Sequence, residues 1–210
     1  MGIHPDMTLL SGWAPGADDW FMPPDVGMVM PTGPNATYML EVHYYNGTGQ
    51  AQLDRSGVEV CVTKQLRKNA ATVSWLGTQS IILGAQSRGT AGSICTPNKG
   101  MWPITILRTW PHMHKYGRHM KTIINRAGGA AQPLIDVPFD FDYQKGYPTN
   151  PAVVLNQGDT LSTTCDFENT SSGVVTFGPN TEQEMCYNFV VAYPARALTS
   201  AGLMANSCEF

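Results

Sequence analysis

Apolar positions along this chain come in short runs. Where a run alternates, it does so with a period of two, the spacing that places every second side chain on one face of a strand. Leu40, Val42 and Tyr44 alternate with Glu41, His43 and Tyr45, and Val58, Val60 and Val62 alternate with Glu59 and Cys61. These patterns predict strands over Tyr38 to Tyr45 and Gly57 to Thr63, with Cys61 as a buried strand residue. Further runs rich in aromatic or β-branched residues predict strands over Val73 to Leu76, Trp102 to Met113, Met120 to Asn125, Thr160 to Asp166 and Met185 to Tyr193. Turn signals separate them, among them Asn46-Gly47, Asn98-Lys-Gly100, Ala127-Gly-Gly129 and Asn156-Gln-Gly-Asp159. No long stretch keeps a helical period and no internal repeat is present, which argues against solenoids and propellers. The pattern predicts an all-β sandwich.

The polar stretch Lys64-Gln-Leu-Arg-Lys-Asn69 interrupts the strand runs, and segments of this kind join domains. It predicts a boundary that divides the chain into residues 1–64 and 65–210. The first part holds too few strands for an independent sandwich, so either it packs onto the following domain or, as favoured here, part of its own domain lies outside this chain.

Composition narrows the function classes. Charged residues make up 14% of the 210, against about 25% in an average soluble domain, while glycine (21) and proline (15) are plentiful, as many short strands and turns require. The net charge is −3 and the thirteen Lys and Arg are scattered, so there is no basic stripe for nucleic acid. No apolar run is long enough to span a membrane, and the start MGIHPDMTLL lacks the regions of a signal peptide. The five cysteines, Cys61, Cys95, Cys165, Cys186 and Cys208, form no C-x-x-C pair. That spacing argues against a zinc ribbon or a thioredoxin-like motif and for disulfides in an oxidising compartment, with one thiol left over. Asn35-Ala-Thr, Asn46-Gly-Thr and Asn169-Thr-Ser fit the glycosylation triplet, a pattern that a chain rich in Asn and Thr also produces by chance.

Three of the five histidines fall in Trp110-Pro-His-Met-His-Lys-Tyr-Gly-Arg-His119, at the end of an apolar strand. On a strand His112 and His114 share a face and can offer two imidazoles to one ion, while Met113 points the other way. The same pair also fits two ordinary histidines without a metal. A third ligand must come from elsewhere, and Met185, where the polar loop Thr181-Glu-Gln-Glu184 enters a strand, has the best local context. Methionine is more often core filler, but two imidazoles with a thioether would suit Cu(I). His43 reads as a strand histidine that needs partners before it can hold a metal. Asp140 and Asp142 are placed on one strand face and could pass for paired glycosidase carboxylates, although neighbouring strand positions are rarely set across a substrate. No nucleophile elbow, phosphate loop, dinucleotide fingerprint or H-E-x-x-H motif is present.

Four segments, LEVHYYN, PHMHKYGRHM, LSTTCDFEN and FGPNTEQEMCYNFVVAYP, in this order and at these spacings, resemble the copper type II, ascorbate-dependent monooxygenases. This is the family of dopamine β-monooxygenase and peptidylglycine α-hydroxylating monooxygenase. The resemblance extends from about Gly12 to Cys208. It implies an antiparallel jelly-roll-like β-sandwich over 65–210 that carries the catalytic copper, preceded by the terminal part of a second, electron-transfer β-sandwich whose beginning is missing.

Carried onto this sequence, the resemblance makes His112, His114 and Met185 the ligands of the oxygen-binding copper. His43 becomes a remnant of the electron-transfer copper, whose other ligands, an adjacent His-His pair, have no counterpart here; His4 stands alone. It pairs Cys165 with Cys186 and Cys95 with Cys208, leaving Cys61 free. The implied activity is hydroxylation of an unactivated C–H bond of a small-molecule substrate, using dioxygen and ascorbate or another one-electron donor. The implied location is secreted, periplasmic or in a secretory-vesicle lumen. Trp110 and Phe189 stand where the peptide-processing branch has an arginine and a tyrosine, which argues against a free peptide carboxylate as substrate. The rival readings are a non-catalytic copper-binding β-sandwich module and, more distantly, a metal-free adhesion-like sandwich.

Overall fold

The computed structural model describes residues 8–44, 46–97 and 100–198, together with the backbone of 207–209. The described chain is an all-β sandwich without a helix. Its larger sheet contains β1 (Val26–Met28), β2 (Asn69–Thr78), β11 (Cys186–Tyr193), β5 (Ile104–His112) and β8 (Tyr147–Leu155), in that order, and β12 (Ser207–Glu209) joins it beside β2. The facing sheet has β4 (Ser87–Cys95), β9 (Thr160–Asn169), β6 (Gly117–Asn125) and β7 (Ala131–Pro138), while β3 (Ile82–Leu83) and β10 (Val175–Thr176) form a small hairpin-like pair.

Alternation along β11 shows how the layers form. Cys186, Val190 and Ala192 point into the sandwich, with Leu76, Ile104, Ile106, Ile124, Leu155 and Leu161 around the latter two. Met185, Tyr187, Phe189 and Val191 point out through the opposite face of the larger sheet. That outer face is not left to solvent. Leu9, Trp20, Met22 and Val26, from the N-terminal segment that leads into β1, pack across it. Burial on both faces explains why β2 and β11 read as nearly continuous apolar runs. Within the sandwich, Asn188 bridges the sheets by donating to Thr122 Oγ1 (3.0 Å) while its Oδ1 accepts the Trp110 N–H (3.1 Å), so its buried amide is satisfied.

The predicted strands at 73–76, 102–113, 120–125, 160–166 and 185–193 lie within or overlap β2, β5, β6, β9 and β11. Tyr38 to Tyr45 and Gly57 to Thr63 form no strands among the described residues; Tyr45 itself lies outside them. Their alternating apolar residues Leu40, Val42, Tyr44, Val58, Val60 and Val62 are exposed, and Cys61 is an exposed free thiol rather than a buried strand residue. A strand needs a neighbour for its backbone donors and acceptors, and neither segment pairs with another described strand. Asp140 and Asp142 sit in a turn, with the Asp142 N–H donating to Asp140 Oδ1 (2.9 Å), so they are not a strand pair.

Besides the short β1, β3, β10 and β12, three longer strands escaped the sequence pattern. β4 faces the interior with Ser87, Gly89, Ala91 and Ser93, residues too small to announce an apolar face. β7 and β8 carry prolines at 133, 138, 148 and 151, which are tolerated because both strands are sheet edges with one side free of ladder bonds.

Candidate metal centre

β11 pairs with β5 so that Tyr187 lies opposite His112 and Phe189 opposite Trp110. The ladder ends at the Tyr187–His112 pair, with Met185 just before β11 and His114 two residues past the end of β5. Alternation then places Trp110, His112, Met185, Tyr187 and Phe189 on one face, the outer face of the larger sheet. Met113, fully buried, points the other way into the sandwich, as the H-x-H spacing requires.

His112 is half-buried and His114 and Met185 are buried. The two imidazoles meet edge to face with ring centroids 5.4 Å apart. His112 Nδ1 bonds to Gln144 Oε1 at 2.9 Å, and His114 Nδ1 bonds to the Gln183 carbonyl at 3.0 Å. Both partners are acceptors, so each Nδ1 carries the proton and each Nε2 keeps its lone pair. Gln144 is oriented in turn. Its Nε2 donates to the Phe141 carbonyl (3.0 Å) and its backbone N–H to the Pro15 carbonyl of the N-terminal segment (2.7 Å).

Electrostatics keep the rings neutral. Desolvation, followed by the neighbouring charge of His114, lowers His112 to about 4, against the weaker opposing effect of Gln144. His114 is lowered by burial, opposed by the Gln183 and Asn180 carbonyls. Neutral imidazole is the form that binds metals.

Glu184, fully buried beside Met185, was not singled out by the sequence reading. Its carboxylate accepts the N–H groups of His114 (2.9 Å), Tyr116 (2.7 Å) and Met185 (3.1 Å). One side chain thereby ties the turn after β5 to the start of β11 and sets the spacing of His114 and Met185. Burial raises its pKa to about 6 in spite of those donors. The only signal for it in the sequence is an acid next to an apolar strand start, too common to read. Gln144, 32 residues from His112, gave no local signal either.

Under the ligand strand, Cys186 is joined to Cys165 of β9 across the sandwich, with Cα atoms 5.8 Å apart. Gly77 lies opposite Tyr187, and a Cβ there would fall 1.8 Å from the Cys186 carbonyl oxygen, so only glycine lets β2 approach this strand. Cys95 is also disulfide-bonded. The Cys208 side chain, its expected partner, lies outside the described residues, as does His4.

His43 stands apart from this arrangement. It is exposed, with Nε2 2.7 Å from Glu41 Oε1, and its charge is the smallest of the influences that lower His112 and His114. Among the described residues no three His, Cys, Asp or Glu side chains surround a common point. Met185 is buried with Trp75 and Tyr187, and Tyr187 lies opposite His112.

The family described as "Copper type II ascorbate-dependent monooxygenase, C-terminal domain" matches residues 69–208, well over half of the chain. The chain belongs to the copper type II ascorbate-dependent monooxygenases. Among curated relatives, "MOXD1 homolog 1" of Drosophila melanogaster is 32% identical over 97% of this chain. Tyramine beta-hydroxylase of Caenorhabditis briggsae is 31% identical over 89%, and dopamine beta-hydroxylase of Rattus norvegicus 27% over 90%. The chain spans about a third of each relative's length, 31%, 34% and 33% respectively. The donor set of this monooxygenase-family chain fits the family's metal: two neutral imidazoles and a soft thioether favour the cuprous ion over zinc.

Proposed function

We propose that this chain holds one copper through His112 Nε2, His114 Nε2 and Met185, and that it is the hydroxylating domain of a copper- and reductant-dependent monooxygenase acting on a C–H bond of a small organic substrate. The observation that carries this reading is the pair of Nδ1 hydrogen bonds, which leave both Nε2 lone pairs free on the face that also carries the thioether. Bound there, copper supplies the dioxygen binding and one-electron chemistry that side chains lack.

The chain's own residues do the rest. Gln144 and the Gln183 carbonyl hold the imidazole tautomers, and Glu184 holds the two ligand-bearing segments together. Beside His112, a floor of Phe189, Trp110, Tyr187 and Trp75, with neighbouring ring centroids 5.4 to 6.3 Å apart, offers an apolar surface that excludes water. Dopamine and tyramine, after which two relatives are named, each carry one aromatic ring, and small aromatic compounds are the substrate class this reading assigns.

Residues 1–64, which contribute β1 to the larger sheet and pack on it through Leu9, Trp20, Met22 and Val26, belong in this reading to the end of a preceding domain that holds a second, electron-transfer copper, with His43 one of its ligands, and ascorbate or another one-electron donor supplies the electrons. The Cys165–Cys186 bridge supports maturation in an oxidising compartment, secreted, periplasmic or vesicular. The test is single-turnover oxygen consumption by the copper-loaded, pre-reduced chain offered small arylalkylamines. Hydroxylation with dioxygen takes two electrons and each cuprous ion supplies one, so product is expected at up to half an equivalent per copper when no further reductant is added. Tight Cu(I) binding with no product from any substrate would replace this reading with that of a copper-binding module.

A further inference from the structure

The three Asn-x-Ser/Thr triplets are equivalent as sequence and unlike as structure. Asn169 closes β9 and is 1% exposed. Its Nδ2 donates to the carbonyls of Gly84 (2.7 Å) and Gly173 (2.8 Å), and its Oδ1 accepts the N–H (2.9 Å) and hydroxyl (2.7 Å) of Ser171. Both amide hydrogens are engaged, tying the end of β9 to the β3–β4 connection through Gly84 and to the loop before β10 through Gly173. A saccharide on that nitrogen would take the place of one amide hydrogen, break the bond that hydrogen makes, and find no room.

Asn35 and Asn46 are the reverse. Asn35 is exposed at the crown of a tight turn opened by Gly33 (φ 101°) and closed by the Ala36 N–H on the Gly33 carbonyl (3.1 Å). Asn46 is exposed as well. Its Oδ1 accepts both the N–H (3.0 Å) and the hydroxyl (2.7 Å) of Thr48, so the two side chains that define the triplet already face each other. The single bond of its Nδ2, to the Gln50 carbonyl (2.7 Å), lies in the same exposed turn and is replaceable by water. The pair also brackets an exposed apolar run, in which Met39 is 69%, Leu40 59% and Tyr44 65% exposed. Hydrophilic mass at both ends of such a run would shield it from self-association.

We propose that Asn35 and Asn46 are N-glycosylation sites and that Asn169 stays unmodified as a structural residue. This rests on the reading above that the protein matures in a secretory compartment. In the transfer, Asn Nδ2 forms a bond to the anomeric carbon of an oligosaccharide carried on a lipid pyrophosphate. The carbon–oxygen bond to the pyrophosphate breaks, that group leaves, and the amide gives up one proton.

The test is secretion of the whole chain from a eukaryotic host, followed by peptide-N-glycosidase digestion in heavy-oxygen water and mass mapping of the resulting aspartates. Tagged aspartate is expected at 35 and 46 and unmodified asparagine at 169. Thr37→Ala and Thr48→Ala each remove one glycan and together remove all. Ser171→Ala, which abolishes the third triplet while keeping Asn169, leaves the glycan count at two. A glycan on Asn169 in folded material, or an unmodified Asn35 or Asn46, overturns the assignment. Copper loading measured on the same material is independent of the glycan map, so failure of the copper reading and failure of this one are told apart.

Discussion

His112 and His43 mark two regions that differ in everything that makes a histidine a dependable ligand. His112 sits on a strand paired on both sides, with Nδ1 committed to Gln144 and Phe189 against its ring. His43 lies in a stretch without strand partners, its side chain 59% exposed and held only by Glu41, two residues away. A ligand on rigid, packed backbone costs little to order when the metal arrives, whereas one on an unpaired segment must surrender its conformational freedom first. The difference teaches that a ligand's reliability resides in what stands behind it more than in its own identity.

Four substitutions can break or sharpen that contrast. The largest effect is expected of Met185→Ala, which removes the soft donor. Cu(I) affinity, read by chelator competition, should fall by more than the roughly 100-fold typical of residues behind a ligand, with circular dichroism unchanged. Unchanged affinity would remove Met185 from the site. Glu184→Gln comes next, because an amide has one oxygen for three backbone donors and turns its own N–H groups on them. It should lose about 1–3 kcal/mol of stability in denaturant titration and about 10- to 100-fold in Cu(I) affinity.

Gln144→Leu frees the Nδ1 proton of His112 without touching a ligand. About a 10-fold loss of Cu(I) affinity with little change in melting temperature is expected, and a change in melting temperature alone would make Gln144 a packing residue. The smallest effect belongs to His43→Ala. In this chain it should alter stability by less than about 0.5 kcal/mol and leave Cu(I) affinity at His112 and His114 unchanged. A clear loss of affinity would show that His43 does more for the site than exert the weak charge influence it has on the two imidazoles.

Much of the β5–β11 seam was legible before folding. The H-x-H spacing places His112 and His114 on one face by the period of a strand alone, and the start of β11 just after Met185 follows from the change from polar loop to apolar run. Glu184 and Gln144 were not legible, because their role depends on which backbone N–H or ring nitrogen lies beside them, and those neighbours come from segments 32 to 70 residues away. The strands expected at Tyr38 to Tyr45 and Gly57 to Thr63 fail for a related reason. Alternation shows that a segment can form a strand, but a strand exists only where another one accepts its hydrogen bonds. β7 and β8 show the converse, since proline argued against strands that survive at the sheet edges.

The sequence by itself determined the local chemistry: an all-β chain, two imidazoles on one strand face and a thioether at the head of another strand. These follow from the two-residue period of the backbone and the intrinsic preferences of side chains, which need no distant partner. Only the tertiary structure decided that Gln144 and Gln183 turn both Nε2 atoms free, that Glu184 accepts backbone N–H groups from both His114 and Met185, and that Asn169 is locked while Asn35 and Asn46 are open. Each of these depends on burial and on hydrogen bonds between residues far apart in the chain, and such contacts come into being only when the sheets pack.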